Sequence, residues 1–155
     1  MSDIINYFKG FDVGPYLKDK REIAFLLFID NKGVMQKTRD IEGELGTVSI
    51  NELLDEQKKY VAIVHTHHGG EVLSFVDLAI ADENDINNMV LITKDKIICY
   101  EFDFSKLPEE YNLAEVIMRT PILTDTTENI QSLCSYIHEW FGVLLIGKEE
   151  IICLD

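Results

Sequence analysis

The sequence predicts an α/β domain, a mixed β-sheet flanked by helices, and three observations predict it. Residues 22–30 and 60–65 are nearly unbroken apolar runs, rich in Phe, Ile, Leu and Val and too short for core helices, as strands buried on both faces are. Residues 89–92 and 96–100 are two further apolar runs split by Thr93-Lys94-Asp95, and residues 143–146 and 151–154 repeat that arrangement, so each pair reads as a hairpin. Helix-start signals stand between the strands.

The elements follow in order. Ser2 or Asp3 caps a helix through Phe8 that Gly10 stops, and Gly14-Pro15 is a turn. The first strand, 22–30, turns at Asn31-Lys32-Gly33 into a second at 34–38, and Gly43 and Gly46 mark a loop. Ser49 with Glu52 forms a capping box, hydroxyl and carboxylate each satisfying a free helix N–H, and opens a helix to Lys59. After the 60–65 strand, Ser74 with Asp77 forms a second capping box, whose helix runs from Phe75 to Glu83 with Val76, Ala79 and Ile80 inward. Thr126 or Thr127 caps a last helix through Trp140, with Ile130, Leu133, Cys134, Ile137 and Phe141 on one side. The two hairpins resemble each other, which suggests two helix-then-hairpin units.

At 155 residues, with no Gly-, Ser- or Pro-rich linker, the chain is expected to be a single domain over 1–155. Carboxylates outnumber Lys plus Arg by 28 to 14, for a net charge of -14. Nucleic-acid affinity rests on cations meeting phosphates, so direct binding to DNA or RNA is not expected. A soluble surface, or a basic protein or peptide partner, accounts for the charge. The N-terminus has no basic-then-apolar leader, and no apolar run is long enough to span a membrane. Cys99, Cys134 and Cys153 sit among apolar neighbours, as buried thiols in a reducing compartment do, so a cytoplasmic location is expected.

The chemistry concentrates in residues 64–77. Three of the four His, His65, His67 and His68, lie within four residues at the end of a predicted buried strand. Side chains two apart on an extended chain point the same way, so His65 and His67 aim at one place. Asp77, on the first turn of the next helix, is placed to return a carboxylate to them. Two imidazoles and one carboxylate are a ligand set for zinc that leaves a fourth position for water.

His65-Thr66-His67, six residues, then Ser74-Phe75-Val76-Asp77 resembles the motif of the JAMM/MPN (JAB-domain) metallopeptidases: Glu upstream, His-Ser/Thr-His, then Ser-x-x-Asp. Residues 21–33, where Glu22 opens a strand that closes in a Gly turn, are similar to the RadC-like bacterial branch. The resemblance covers residues 21–102; residues 105–155 read as a helix-plus-hairpin extension of the same domain. The chain departs in two places: His68 stands where the family usually has Pro, and the spacer is one residue shorter.

The resemblance implies a JAB/MPN-like (cytidine-deaminase-like) fold. It also implies one zinc per chain held by His65, His67 and Asp77, with Ser74 supporting the oxyanion or orienting water and Glu22 as general base. Glu42, Glu44 and Glu71 compete for the role of Glu22. His68 and Thr66 are candidates for contacts behind the ligands, and His138 lies far from the cluster in sequence. The activity implied is hydrolysis of a peptide or isopeptide bond, with a ubiquitin-like or sulfur-carrier-like protein among the substrates. A catalytically silent scaffold or protein-binding module of the same fold is the alternative. The His-x-His also resembles metallo-β-lactamase-fold hydrolases, but the Asp and third His of that motif are missing.

Overall fold

The computed structural model describes residues 1–18, 21–43, 50–68, 73, 75–107, 130–142 and 144–154. Helix α1 (Ser2–Lys9) and the short α2 (Gly14–Leu17) precede strand β1 (Ile23–Ile29), followed by β2 (Met35–Lys37) and β3 (Ile41–Glu42). Strand β4 (Lys59–Thr66), helix α3 (Phe75–Glu83), β5 (Asn88–Ile92) and β6 (Lys96–Asp103) follow; α4 (Ile130–Phe141) and β7 (Ile146–Cys153) come last. The seven described strands form one mixed sheet in the order β2-β1-β4-β5-β6-β7, with β3 also paired to β1. Among the described pairings only β4 with β5 is parallel; the others are antiparallel.

Alternation along the strands separates two apolar layers. Ala24, Leu26, Ile63, Met89, Leu91, Ile98, Tyr100 and Phe102 face α3 and α4, meeting Leu78, Ala79, Ala81 and Ile137. Phe25, Leu27, Ala62, Val64, Val90, Ile92, Ile97 and Cys99 face α1 and α2, meeting Ile4, Phe8 and Tyr16. The expected mixed sheet flanked by helices is therefore present. Each fully buried Leu, Ile or Phe contributes about 1.5–3 kcal/mol, so β1 and β4, buried on both faces, anchor the domain.

Four expectations are corrected. Gly14-Pro15 opens the helical turn α2 instead of a plain turn, because Pro near a helix start lacks only an N–H that would have been unsatisfied there. The helix expected from Ser49 to Lys59 is a single 3-10 turn, Asn51–Leu53, and Leu54 is already extended. Tyr60 accounts for this: its hydroxyl donates to the Leu53 carbonyl at 2.8 Å and accepts the Asp55 N–H at 2.8 Å, while Asp55 Oδ1 takes the Gln57 N–H. The groups a helix would pair with each other are thereby used in a turn. Ser49 itself lies outside the described residues.

The expected last hairpin does not exist. Residues 146–153 form one strand, each paired with a residue of β6, and Gly147-Lys148-Glu149-Glu150 lies inside it. Strand β6 offers an eight-residue edge whose backbone groups need partners, and one continuous strand satisfies them where a hairpin would not. The two-unit repeat falls with it. Cys153, finally, is exposed, while Cys99 is buried and Cys134 intermediate. The last strand carries Cys153 to the rim of the sheet.

The inward face of α3 is led by Leu78, Ala79 and Ala81, with Ile80 partly buried. Ile137 is buried and Cys134 partly buried on α4, as the periodicity predicts. Thr126 and Thr127 lie outside the described residues. No helix among the described residues is long and apolar enough to cross a membrane.

Candidate metal centre

Strand β4 ends where its neighbours hold it from both sides. It pairs antiparallel with β1, Ala24 opposite His65, and parallel with β5, Thr66 beside Ile92. The His67 N–H donates to the Ile92 carbonyl at 3.0 Å, which keeps the chain extended past the end of the strand. His65 and His67 therefore project from the same face, their ring centroids 4.7 Å apart and their planes at 75°. Ala24, opposite His65, has no side chain beyond Cβ and leaves that face open for the imidazole.

Helix α3 supplies the third group. Its first turn carries Asp77, and the burial of Leu78, Ala79 and Ala81 against the sheet fixes how that turn faces β4. Asp77 lies between the imidazoles, with Oδ1 3.2 Å from His65 Nε2 and Oδ2 3.5 Å from His67 Nε2. One ligand atom from each residue falls within 4.8 Å of the others. All three side chains are largely buried, at 6%, 14% and 14% exposure for His65, His67 and Asp77.

A charge-assisted N–H···O⁻ bond is ~2.7–2.9 Å long. The contacts of 3.2 and 3.5 Å, each to a different oxygen of Asp77, are longer than that and keep the three groups close enough to share an ion. Neither ring nitrogen of buried His65 makes a hydrogen bond of good geometry among the described residues, and its Nε2 has the Asp77 carboxylate beside it at 3.2 Å. A buried imidazole so incompletely satisfied is costly, and coordination of an ion relieves it. The group can hold a metal ion.

The electrostatics agree. Burial alone would push the His65 pKa down, but the Asp77 carboxylate beside it, with a contribution from Glu22, carries it above the usual 6.5. Burial would raise Asp77, and the charge of His65 together with hydrogen bonding to the imidazoles holds it well below 3.8. Asp77 is thus a carboxylate ready to meet a cation.

No protein-family model, curated protein or solved structure matches the chain.

The structure brings Glu22 to this group. Extending the β1–β4 register from Ala24 opposite His65 places Glu22 across from His67, on the ligand face. Its charge is felt at His65. The backbone around it is fastened at three points. The Ile23 N–H donates to Thr66 Oγ1 at 2.9 Å, the Gly43 N–H donates to the Glu22 carbonyl at 2.9 Å, and His68 Nε2 lies 3.0 Å from the Arg21 carbonyl. The Nε2–H tautomer of His68 donates in that last contact.

Thr66 Oγ1 and His68 Nε2 thus both hold the segment carrying Glu22, and the Thr66 backbone also bonds to His65. Glu42 pairs at 3.5 Å with Arg21 in an exposed contact. Ser74, Glu44 and Glu71 lie outside the described residues. His138, on α4, is exposed.

Sequence reasoning missed Tyr100. It is fully buried on the α3 face of β6, with its hydroxyl bonded to the Leu73 backbone, and burial followed by the charges of Glu149 and Asp77 raises its pKa. Leu73 lies two residues before the start of α3. An aromatic in an apolar strand carries no sequence signal for such a place.

Proposed function

We propose that this chain is a zinc-dependent hydrolase of amide bonds, peptide or isopeptide, of the JAMM type. The convergence of His65, His67 and Asp77 carries the proposal: two nitrogens and one oxygen suit zinc, and three protein ligands are the number found in its catalytic sites. A bound zinc would supply the Lewis acidity that polarises a carbonyl and acidifies water.

The chain's own residues do the rest. His65 and His67 present imidazole nitrogens, and Asp77 supplies negative charge in a largely buried setting. Glu22 would accept a proton from water and hand it to the leaving amine; the β1–β4 register, extended two residues, sets it opposite His67 and supports that role. Ser74, the residue just before α3 in the sequence, is assigned the support of a developing oxyanion by the motif resemblance alone. The substrate class, including a protein tail joined through an isopeptide bond, comes from the same resemblance.

Elemental analysis of purified protein, repeated on His67→Ala and Asp77→Ala, tests the site. One equivalent of zinc in the parent that is lost in both variants supports it; equal metal in all three ends the ligand assignment. Glu22→Gln is expected to keep zinc and lose about 10²–10⁴-fold in turnover on a panel of peptide and isopeptide amides. Full turnover in that variant transfers the base to Glu42, Glu44 or Glu71. A zinc-loaded parent inert toward the whole panel favours the silent scaffold.

A further inference from the structure

Strand β7 ends the sheet; among the described strands it pairs only with β6, and near its start the Gly147 backbone also bonds to the Cys134 thiol of α4. It is eight residues long and holds no Pro. It exposes Ile146 at 43% and Ile151 at 51%, and Leu144 just before it at 53%. A long edge strand with exposed apolar side chains invites pairing unless something covers it. The other end of the sheet offers the three-residue β2 and the two-residue β3.

The side chains of β7 are self-complementary. Alternation puts Ile146, Lys148, Glu150 and Ile152 on the α1 face and Gly147, Glu149 and Ile151 on the α4 face. Antiparallel pairing of β7 with itself requires a two-fold axis normal to the sheet, which keeps like faces together. Residues of the same face must then oppose one another.

With the axis at Glu149, Lys148 faces Glu150 of the second copy, twice by symmetry. Ile146 faces Ile152, and the exposed Ile151 enters the space that Gly147 leaves. Moving the axis to Lys148 sets Lys148 against itself and Ile146 against Glu150. Moving it to Glu150 sets Glu150 against itself and Lys148 against Ile152. Of the three registers, only the one centred on Glu149 joins opposite charges and apolar pairs together; it opposes like charges at Glu149 alone.

We infer that the outer edge of β7 binds β7 of a second copy of this chain, antiparallel about Glu149, joining two sheets into one. Main-chain hydrogen bonds supply affinity, and the Lys148–Glu150 and Ile146–Ile152 pairs set the register. A single edge strand lies at the small end of stable interfaces, so the dimer forms in the micromolar range.

Sedimentation velocity of the full chain across that range tests it. The parent is expected to pass from monomer to dimer. Lys148→Glu and Glu150→Lys are each expected to weaken the dimer about tenfold or more, because each sets like charges against each other twice. The double variant, with the charges exchanged, is expected to restore association, and Glu149→Gln to strengthen it. Both reversed side chains are exposed, so an unchanged circular dichroism spectrum accompanies each variant. A parent monomeric throughout, single reversals without effect, or a double variant that fails to recover would overturn the inference.

Discussion

His65 Nε2 lies 3.2 Å from Asp77 Oδ1, although one residue ends a strand and the other begins a helix. Without metal this contact makes stability pH-dependent. His65 is raised above 6.5, so its contribution is complete below 6.5 and is lost as pH rises through its raised value. Asp77 is depressed below 3.8, so its contribution is present above 3.8 and is lost as pH falls through its depressed value. The metal-free protein should therefore be most stable between 3.8 and 6.5, as urea titrations at a series of pH values will show. Flat stability from 5 to 8 in the parent, or the same profile in Asp77→Asn, would contradict the coupling.

Zinc should reverse the upper half of that profile. Metal binds the deprotonated imidazoles, so its affinity rises as pH climbs past the raised His65 value. At about a thousandfold excess over its Kd, a ligand of the folded state adds about 4 kcal/mol. Thermal unfolding near neutral pH should move upward on adding zinc to the chelator-treated parent and stay put in Asp77→Ala. An equal rise in both would place the binding elsewhere.

Thr66→Val keeps the shape of the side chain and removes the oxygen that accepts the Ile23 N–H. A buried donor without a partner costs about 1–3 kcal/mol. Denaturant unfolding should show that loss, and Thr66→Ser should recover most of it. Since the same bond fastens the residue next to Glu22, turnover on any amide substrate found should fall while zinc content stays at the parent level. Loss of zinc in the valine variant would instead make Thr66 a support of the ligands.

Leu78→Ala probes the packing that aims Asp77. Leu78 is fully buried beneath the first turn of α3. Truncation should cost about 2–5 kcal/mol, the spread reflecting how far the site collapses. Zinc affinity should fall as well, because the carboxylate is then held less firmly over the imidazoles. Unchanged affinity in a variant destabilised to that degree would mean that Asp77 is positioned by contacts other than this face of the helix.

Legibility in the sequence followed the range of the physics involved. The cores of β1 and β4 were readable because strands buried on both faces are apolar throughout, and β5–β6 because a short polar turn separates two such runs. Helix α3 was readable in extent. The helix expected from Ser49 to Lys59 gave way to a single turn because Tyr60, beyond its end, captures Leu53 and Asp55. Residues 147–150 looked like a turn, yet the full length of β6 beside them made them a strand. In both cases a local signal gave way to a partner that the local sequence does not name. The ligand types were legible from spacing; the place of Glu22 was not.

By itself, the sequence determined which segments are apolar enough to be buried and which residues can ligate a metal, because composition and alternation act over a few neighbouring positions. Tertiary structure alone decided that Asp77 returns to His65 and His67, through the parallel pairing of β4 with β5 and the packing of α3 between them in the chain. It likewise decided that Glu22 stands across from His67, through the β1–β4 register and the bonds from Thr66 and His68. Such convergence depends on the burial and backbone pairing of segments distant in the chain, which no short window of residues contains.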